Sequence, residues 1–360
     1  MKYKYRVDRY IWLYPILMFL TTVFGFVAMK GTDLGGQLYA LRFYEDYSIM
    51  DMIRLNFLEE EKILFYLIYN FLHVALGVQP RLYIGVWVIT YFLFVVLILR
   101  TYLNNKDLGL RMNTASNLCV FTMLSLCPIL FTISRYFSSV VFVYVSILLY
   151  LKRKYLAAII PLVLSYFTHE GILVIFAIIS LGFFLYRFWL RKNKNYNIRN
   201  TIIVILCIVF LLLGSTYFAT ITGFLYSEGV LSEHYMDTYG TMAAGDGVYK
   251  LVIVLSMLGP LICLFANSLI DKRNDFVYGI TVSGLLMVCL LYNQKIFYVQ
   301  RIMMFMPLFI GLTSFQICAD QIKQQGKINP LYLIIMLLVP ANLLFQFVIQ
   351  FNLYFGNLFL

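Results

Sequence analysis

Apolar runs long enough to form membrane-spanning helices recur along almost the whole chain. A helix needs about 20 predominantly apolar residues to cross the hydrocarbon core of a bilayer. Of the 360 residues, 62% are hydrophobic and 12% are charged, whereas a soluble domain is about half apolar and a quarter charged. We therefore predict an all-α polytopic membrane protein in which residues 1–360 form a single transmembrane domain.

Eleven apolar runs are predicted to be transmembrane helices. A twelfth run, residues 63–78, is short and contains Asn70 and His73, so its apolar character alone does not decide whether it crosses. The eleven predicted spans are residues 10–29, 82–99, 115–133, 136–151, 155–168, 171–190, 202–218, 251–270, 276–291, 302–318 and 331–349.

The distribution of charge decides the orientation of segment 63–78. If this segment stays on the outer side, the inner side carries 19 of the 28 Lys and Arg residues, and the outer side carries 12 of the 17 acidic residues. Loops on the cytoplasmic side are enriched in Lys and Arg. We therefore predict a cytoplasmic N-terminus, a first outer loop at 30–81 whose juxtamembrane helices include 63–78 (surface-lying or re-entrant), and a second outer loop at 219–250.

The net charge of +11 and the six cysteines both have simple explanations in a membrane protein. In a soluble protein such a charge would suggest nucleic acid, but here the basic residues lie at span ends, as the topology requires. We therefore expect no nucleic-acid partner. The cysteines lie within or at the ends of apolar spans and form no CxxC pair, so neither a disulfide nor a metal role is predicted.

One carboxylate lies at the start of the first outer loop. Asp33 closely follows the first span and has glycines on both sides, on a backbone able to turn sharply. A carboxylate there can act as a general base or bind a cation; the alternative is a solvated loop residue. No second metal ligand is evident beside Asp33, so the prediction is no cofactor, with a divalent cation left open.

Ionisable residues also lie at three tight outer turns. Arg135 lies between two spans, where its planar guanidinium could bind phosphate or extend to the membrane interface. His169 and Glu170 follow a short span, and the histidine could be a general base, a phosphate partner or a structural hydrogen-bonding residue. Arg301 opens a late span. Because all these residues and Asp33 share the outer side, we predict an outward-facing site with Asp33, His169 and Glu170 as catalytic residues and two arginines for phosphate.

Three short segments flank the predicted spans 136–151 and 155–168 in a recognisable order. They are Ile133-Ser134-Arg135-Tyr136, Lys152-Arg153-Lys154-Tyr155 and Ser165-Tyr166-Phe167-Thr168-His169-Glu170-Gly171. This order resembles the EpsG-like family of bacterial polysaccharide polymerases, which has an Arg-Gln turn, a basic inner turn and a Phe-His segment followed by a small pair. Tyr136 replaces the glutamine of that pattern, and Glu170-Gly171 replaces the small pair.

Two further features are similar to that family, namely the spacing of Asp33 and Tyr39 after the first span and the pair Gln300-Arg301 at a late span. The layout also resembles the wider GT-C class of lipid-dependent glycosyltransferases, in which a large outer loop with juxtamembrane helices and an acidic residue follows the first span. The resemblance supports an outer position for segment 63–78.

The resemblance implies a Wzy-type polymerase for O-antigen or capsule in the bacterial inner membrane. Such an enzyme joins undecaprenyl-diphosphate-linked oligosaccharide repeat units by glycosyl transfer on the periplasmic face. The expected partners are those lipid-linked oligosaccharides, membrane lipid and, as a candidate, a chain-length regulator. Arg135 and Arg301 are then expected to bind the phosphates of the lipid donor. The candidate substrate-binding residues are Tyr39, Tyr136, Tyr298 and Gln300.

Other membrane functions are compatible with the same sequence. A flippase or transporter of lipid-linked saccharide is typically built from internal repeats with ionisable residues near midspan, whereas the charges here cluster at span ends. A single-sugar polyprenyl-phosphate-dependent glycosyltransferase would use the same kind of site. A membrane acyltransferase could also use an intramembrane histidine. The chain has no Asp-x-Asp motif and no soluble glycosyltransferase domain, which favours a lipid-linked donor.

Overall fold

All the regular secondary structure in the described part of the protein is helical. The computed structural model describes residues 33–57, 63–104, 134–190, 196–228 and 276–291, and the single positions 302, 305, 306, 308, 309 and 312. No strand occurs in these ranges, which confirms the all-α prediction for this part of the chain. The predicted spans that fall outside the described residues are 10–29, 115–133, 251–270 and 331–349.

The predicted first outer loop is folded largely into short helices. Helix α1 is Asp33–Phe43, a 3-10 turn covers Tyr44–Asp46, α2 is Ile49–Phe57, and α3 is Leu64–Leu76. The 13 residues of α3 extend for about 20 Å, which is less than the roughly 30 Å of a bilayer core. Helix α3 ends at Gly77, whose φ of +66° is a left-handed conformation that glycine adopts without steric cost.

Six further helices follow among the described residues, and each overlaps a predicted span. They are α4, Pro80–Asn104; α5, Ser134–Leu151; α6, Tyr155–Thr168; α7, Ile172–Phe184, continued by a π-helical turn at Leu185–Leu190; α8, Tyr196–Ser227; and α9, Phe276–Leu291. Helix α8 extends through Ser227, so the first residues of the predicted second outer loop at 219–250 are helical. Residues 219–227 contain no proline and are mostly apolar, so no signal in them ends the helix.

One helix among the described residues, Ile172–Trp189, is long and apolar enough to cross a membrane on its own. A second candidate arises if Leu64–Leu76 and Pro80–Val95 are counted together as one broken span, although the two helices are bent by 119° at the break. The helical positions thus agree with the predicted spans, and the eleven-span topology stays a prediction.

Helices α1 to α6 belong to one compact unit of the chain. Helices α5 and α6 are joined by a three-residue turn, so they run antiparallel as a hairpin, and the Ser146 hydroxyl of α5 donates to the Ala158 carbonyl of α6 at 2.7 Å. Helix α4 packs on α5 through aromatic rings. The Tyr91 ring lies 5.3 Å from both the Phe137 and the Tyr144 ring centroids.

The turn between α5 and α6 is closed by backbone hydrogen bonds around a left-handed residue. Arg153 has φ +61°, its N–H donates to the Tyr150 carbonyl at 2.9 Å, and the Lys154 N–H donates to the Leu149 carbonyl at 2.9 Å. This is the pattern of a Schellman helix end. A left-handed non-glycine residue costs roughly 1 kcal/mol, but a cation at a helix C-terminus is favourable.

The second compact unit contains α8, α9 and α7 from Val174 onward. Helices α7 and α9 meet closely, because a Cβ on Gly182 would lie 2.8 Å from the Ile280 Cα atom and a Cβ on Gly279 would overlap the Gly182 carbonyl oxygen. The Ser283 hydroxyl of α9 donates to the Ile178 carbonyl of α7 at 2.7 Å. Glycine at both crossing positions therefore lets the two backbones approach each other.

Candidate functional site

The α5–α6 hairpin brings two predicted site residues together at its open end, where α5 begins and α6 ends. Tyr136 lies in the first turn of α5, and His169 directly follows the last residue of α6. Their ring centroids are 5.5 Å apart, with the planes at 81°. Both side chains are buried, Tyr136 completely and His169 with 6% exposure. The antiparallel pairing of two adjacent helices thus joins residues 33 positions apart in the sequence.

His169 is held by hydrogen bonds on its backbone and on its ring. The backbone is extended (φ −163°, ψ 119°), and its N–H donates to the Ser165 carbonyl at 3.2 Å. The carbonyl of His169 accepts from the Ile172 N–H at 3.1 Å, at the start of α7. On the ring, Nδ1 accepts a hydrogen bond from the Gly171 backbone N–H at 2.9 Å. The imidazole is therefore oriented by the turn that connects α6 to α7.

Arg135 extends this site toward the first-loop helices. Its guanidinium carbon lies 5.9 Å from the centroid of the Tyr66 ring on α3, and the arginine is half-buried. Tyr66 in turn stacks on Tyr44 of the 3-10 turn, with centroids 4.8 Å apart and an interplanar angle of 29°. At the start of α5, the Ser138 hydroxyl donates to the Arg135 carbonyl at 2.7 Å. The cation is thus placed over an aromatic face, an arrangement that attracts positive charge.

The 3-10 turn is fixed to α3 by buried polar side chains. The Asn70 amide donates to the carbonyls of Tyr44 at 2.6 Å and Tyr47 at 2.9 Å, and the Tyr69 hydroxyl donates to the Glu45 carboxylate. Burial, followed by the hydrogen bond and the charge of Glu45, raises the pKa of Tyr69 above its usual range. The phenol therefore stays protonated as a donor, and the turn holds Tyr44 against Tyr66.

Three further predicted residues, Asp33, Tyr39 and Glu170, lie in the predicted first outer loop and in the turn between α6 and α7. Asp33 is the first residue of α1, and the two glycines that follow it are helical. Tyr39 lies within α1 and is 75% exposed. Glu170 is half-buried in the turn after α6, next to His169.

Other predicted residues fall outside the part of the chain that the structure describes. They are Tyr298, Gln300 and Arg301. Within the described ranges, no group of three or more His, Cys, Asp or Glu side chains is arranged to hold a metal ion.

Sequence reasoning did not single out Tyr66 or Tyr44 as members of the site. One signal was present, since Tyr66, Tyr69 and Asn70 are spaced three and four positions apart and therefore share a face of α3. An aromatic and amide face on a short apolar helix indicates that the segment packed against it, the partner of this face, has both apolar and polar groups. The sequence did not show that Arg135, nearly 70 positions away, provides part of that partner.

Comparisons of the chain with protein-family models, with curated proteins and with solved structures find no match.

Proposed function

We propose that this protein is a multi-pass membrane glycosyltransferase that polymerises undecaprenyl-diphosphate-linked oligosaccharide repeat units on the outer face of a bacterial inner membrane. The observation that carries the proposal is the ring contact between Tyr136 and His169 at the open end of the hairpin, where Arg135 provides a cation. This contact supports the grouping of Arg135, Tyr136 and His169 into one site, which the sequence segments around these residues suggested. The proposal includes eleven spans and a GT-C-like arrangement with the first-loop helices on the outer side.

The reaction requires a nucleophile, a leaving group and a proton acceptor. The acceptor hydroxyl oxygen attacks the anomeric carbon of the donor sugar, the bond from that carbon to the diphosphate oxygen breaks, and the diphosphate departs with the electron pair. The hydroxyl proton passes to a base, for which Asp33, Glu170 and His169 are candidates. Negative charge develops on the departing diphosphate, and a guanidinium positioned beside it lowers the energy of the transition state.

Arg135 suits that role for reasons of chemistry and position. Its guanidinium is planar and permanently charged, and it can donate two parallel hydrogen bonds to a phosphate. The Tyr66 ring beneath it, itself stacked on Tyr44, limits where the guanidinium can move. A positioned cation needs less reorganisation when the diphosphate departs and gains negative charge. Arg301 is the second candidate cation of the proposal, with Tyr39, Tyr136, Tyr298 and Gln300 as substrate contacts.

The proposal is tested with the purified full chain in lipid nanodiscs supplied with a short lipid-linked repeat unit. We expect ladders of polymer in wild-type protein and none in Arg135→Ala or Asp33→Ala, with normal expression of both variants. Arg153→Gly is the matched control, because it removes an exposed arginine from the opposite end of the same hairpin, and we expect full-length ladders from it.

Other outcomes of this assay would point to a different function or to different catalytic residues. A single added unit in place of a ladder indicates a simple glycosyltransferase. Movement of the lipid-linked saccharide across the bilayer without new bonds indicates a flippase and refutes the enzyme. Normal ladders from Arg135→Ala and Asp33→Ala would remove both residues from the mechanism.

A further inference from the structure

The hydrogen bond from Gly171 to His169 has a consequence for the proton on the imidazole. A neutral imidazole has one N–H donor and one acceptor nitrogen. A backbone N–H can only donate, so the nitrogen that accepts from it carries no proton. In His169 that nitrogen is Nδ1, at 2.9 Å from the Gly171 nitrogen and buried. The proton of neutral His169 therefore lies on Nε2.

His73 in the same protein carries the opposite tautomer. Its Nδ1 lies 3.1 Å from the Val78 carbonyl oxygen, and a carbonyl can only accept. The proton of His73 therefore lies on Nδ1. The chain contains three histidines, and these two are the ones that the structure describes. The backbone around each ring thus selects a different tautomer by the same rule.

We propose that His169 serves the glycosyl transfer as a hydrogen-bond donor to the diphosphate of the lipid-linked substrate, through Nε2–H, and not as the general base. The inference rests on the proposed function, since it assigns a role within that reaction. In neutral His169, Nε2 already carries the proton, and the lone pair of Nδ1 is engaged by Gly171. Neither nitrogen can then accept the proton of the attacking hydroxyl.

The position of His169 matches a donor role. Tyr136 packs against its ring, and the preceding residue in the chain, Arg135, supplies the permanent charge at the same end of the hairpin. A neutral N–H donor and a guanidinium can both bind diphosphate oxygens. The base of the reaction is then one of the carboxylates, Asp33 or Glu170.

The tautomer is measured by nitrogen NMR of the full chain labelled with ¹⁵N-histidine in nanodiscs. His73→Gln and His234→Gln assign the three rings by removing one set of signals at a time. We expect the Nδ1 shift of His169 to be that of an unprotonated nitrogen and the Nε2 shift that of a protonated one, with the reverse pattern in His73. A protonated Nδ1 in neutral His169 would overturn the inference, whatever the activity of the protein.

The role is measured by comparing two variants of nearly identical shape in the ladder assay. Gln places an amide N–H donor near the position of Nε2, whereas Glu places only acceptor oxygens there. We expect His169→Gln to retain a rate within about tenfold of wild type and His169→Glu to lose at least about a hundredfold, the range found when one transition-state donor is removed. Equal losses, or a more active His169→Glu, would refute the donor role.

Two controls keep this inference separate from the proposed function. His73→Gln, outside the site, is expected to leave ladder formation unchanged. Thermal unfolding of both His169 variants shows whether a lost rate reflects a lost fold. If wild-type protein forms no ladders, the proposed polymerase fails while the NMR result still decides the tautomer.

Discussion

In the part of the chain that the structure describes, two arginines lie over tyrosine rings, one in each compact unit, and their surroundings differ. Arg135 is half-buried at the first turn of α5, with its guanidinium carbon 5.9 Å from the Tyr66 centroid. Arg199 is fully buried in α8, with its guanidinium carbon 5.3 Å from the Tyr278 centroid on α9. The same pairing thus lies at a helix end beside the candidate site in one unit and inside a helix–helix contact in the other.

The helix contacts around the two pairs also differ in kind. In the first unit, α4 and α5 meet through aromatic rings, such as Trp87 and Phe142 with centroids 5.5 Å apart. In the second, α7 and α9 meet backbone to backbone at Gly182 and Gly279. Aromatic contacts separate two helices and leave room for polar groups at their ends, whereas glycine contacts bring the helices together. Because Arg135 is half-buried and Arg199 is fully buried, we expect a ligand to reach Arg135 and Arg199 to support packing.

The largest expected effect is on the rate of ladder formation, and it distinguishes Arg135 from Arg199. Arg135→Met should lower the rate of ladder formation by about 10²–10³-fold, because it removes a charge that stabilises the departing diphosphate. Arg199→Met should change the rate less than about tenfold, since Arg199 is fully buried against Tyr278 and is not a residue of the proposed site. Initial rates are measured on nanodisc samples with the unfolding temperature of each variant recorded. Similar rate losses in two well-folded variants would break the distinction.

The next largest effect is on stability, and it compares Gly279, where a Cβ would clash, with Gly36, where a Cβ would meet nothing. Gly279→Ala places a methyl group into the Gly182 carbonyl, and overpacking of this kind destabilises by about 1–3 kcal/mol. Gly36→Ala in α1 meets nothing within 4 Å, and alanine stabilises a helix interior over glycine by up to about 1 kcal/mol. The free energy of unfolding should therefore fall in the first variant and rise in the second.

Denaturant unfolding of both glycine variants in the same detergent provides the measurement. A stable Gly279→Ala protein would mean that α7 and α9 separate easily. In that case the glycine crossing would not distinguish the second unit from the first.

The smallest effect compares the arginine–tyrosine pairs by their coupling energies. A double-mutant cycle on Arg199 and Tyr278 should give about 2 kcal/mol, because both groups are desolvated, and the cycle on Arg135 and Tyr66 should give about 0.5–1 kcal/mol. Each cycle uses Arg→Met and Tyr→Leu, singly and together, with unfolding free energies measured throughout. A larger coupling for the Arg135 pair would reverse the assignment of packing and ligand-accessible roles.

Much of the helical layout was predictable, since long apolar runs and short polar turns mark helix positions directly. The predicted limits 155–168 and 276–291 are those of α6 and α9, because Lys152 to Lys154 and His169 to Gly171 interrupt the apolar pattern on either side of α6. The start of α1 was predicted less well. Glycine is unfavourable inside a helix, so the residues after Asp33 did not indicate one, but the helix continues through both glycines.

The candidate site stays a prediction, and the structure brings only part of its residue set together. Arg135, Tyr136 and His169 were selected because they lie at tight turns, and the antiparallel hairpin places Tyr136 against His169. Tyr66 was not selected, because its contact with Arg135 joins two segments far apart in the chain. Arg199 was grouped with the basic residues of an inner loop, although its side chain is buried against Tyr278.

The sequence by itself determined that the described chain is helical, where most of its helices lie, and which ionisable residues interrupt them, because each of these depends on neighbours within a few positions. Only the tertiary structure decided which rings meet, which arginine is buried and which nitrogen of His169 carries the proton. The first two depend on pairing between distant segments, and the last depends on the path of the backbone at Gly171, where a single N–H of the turn selects the tautomer.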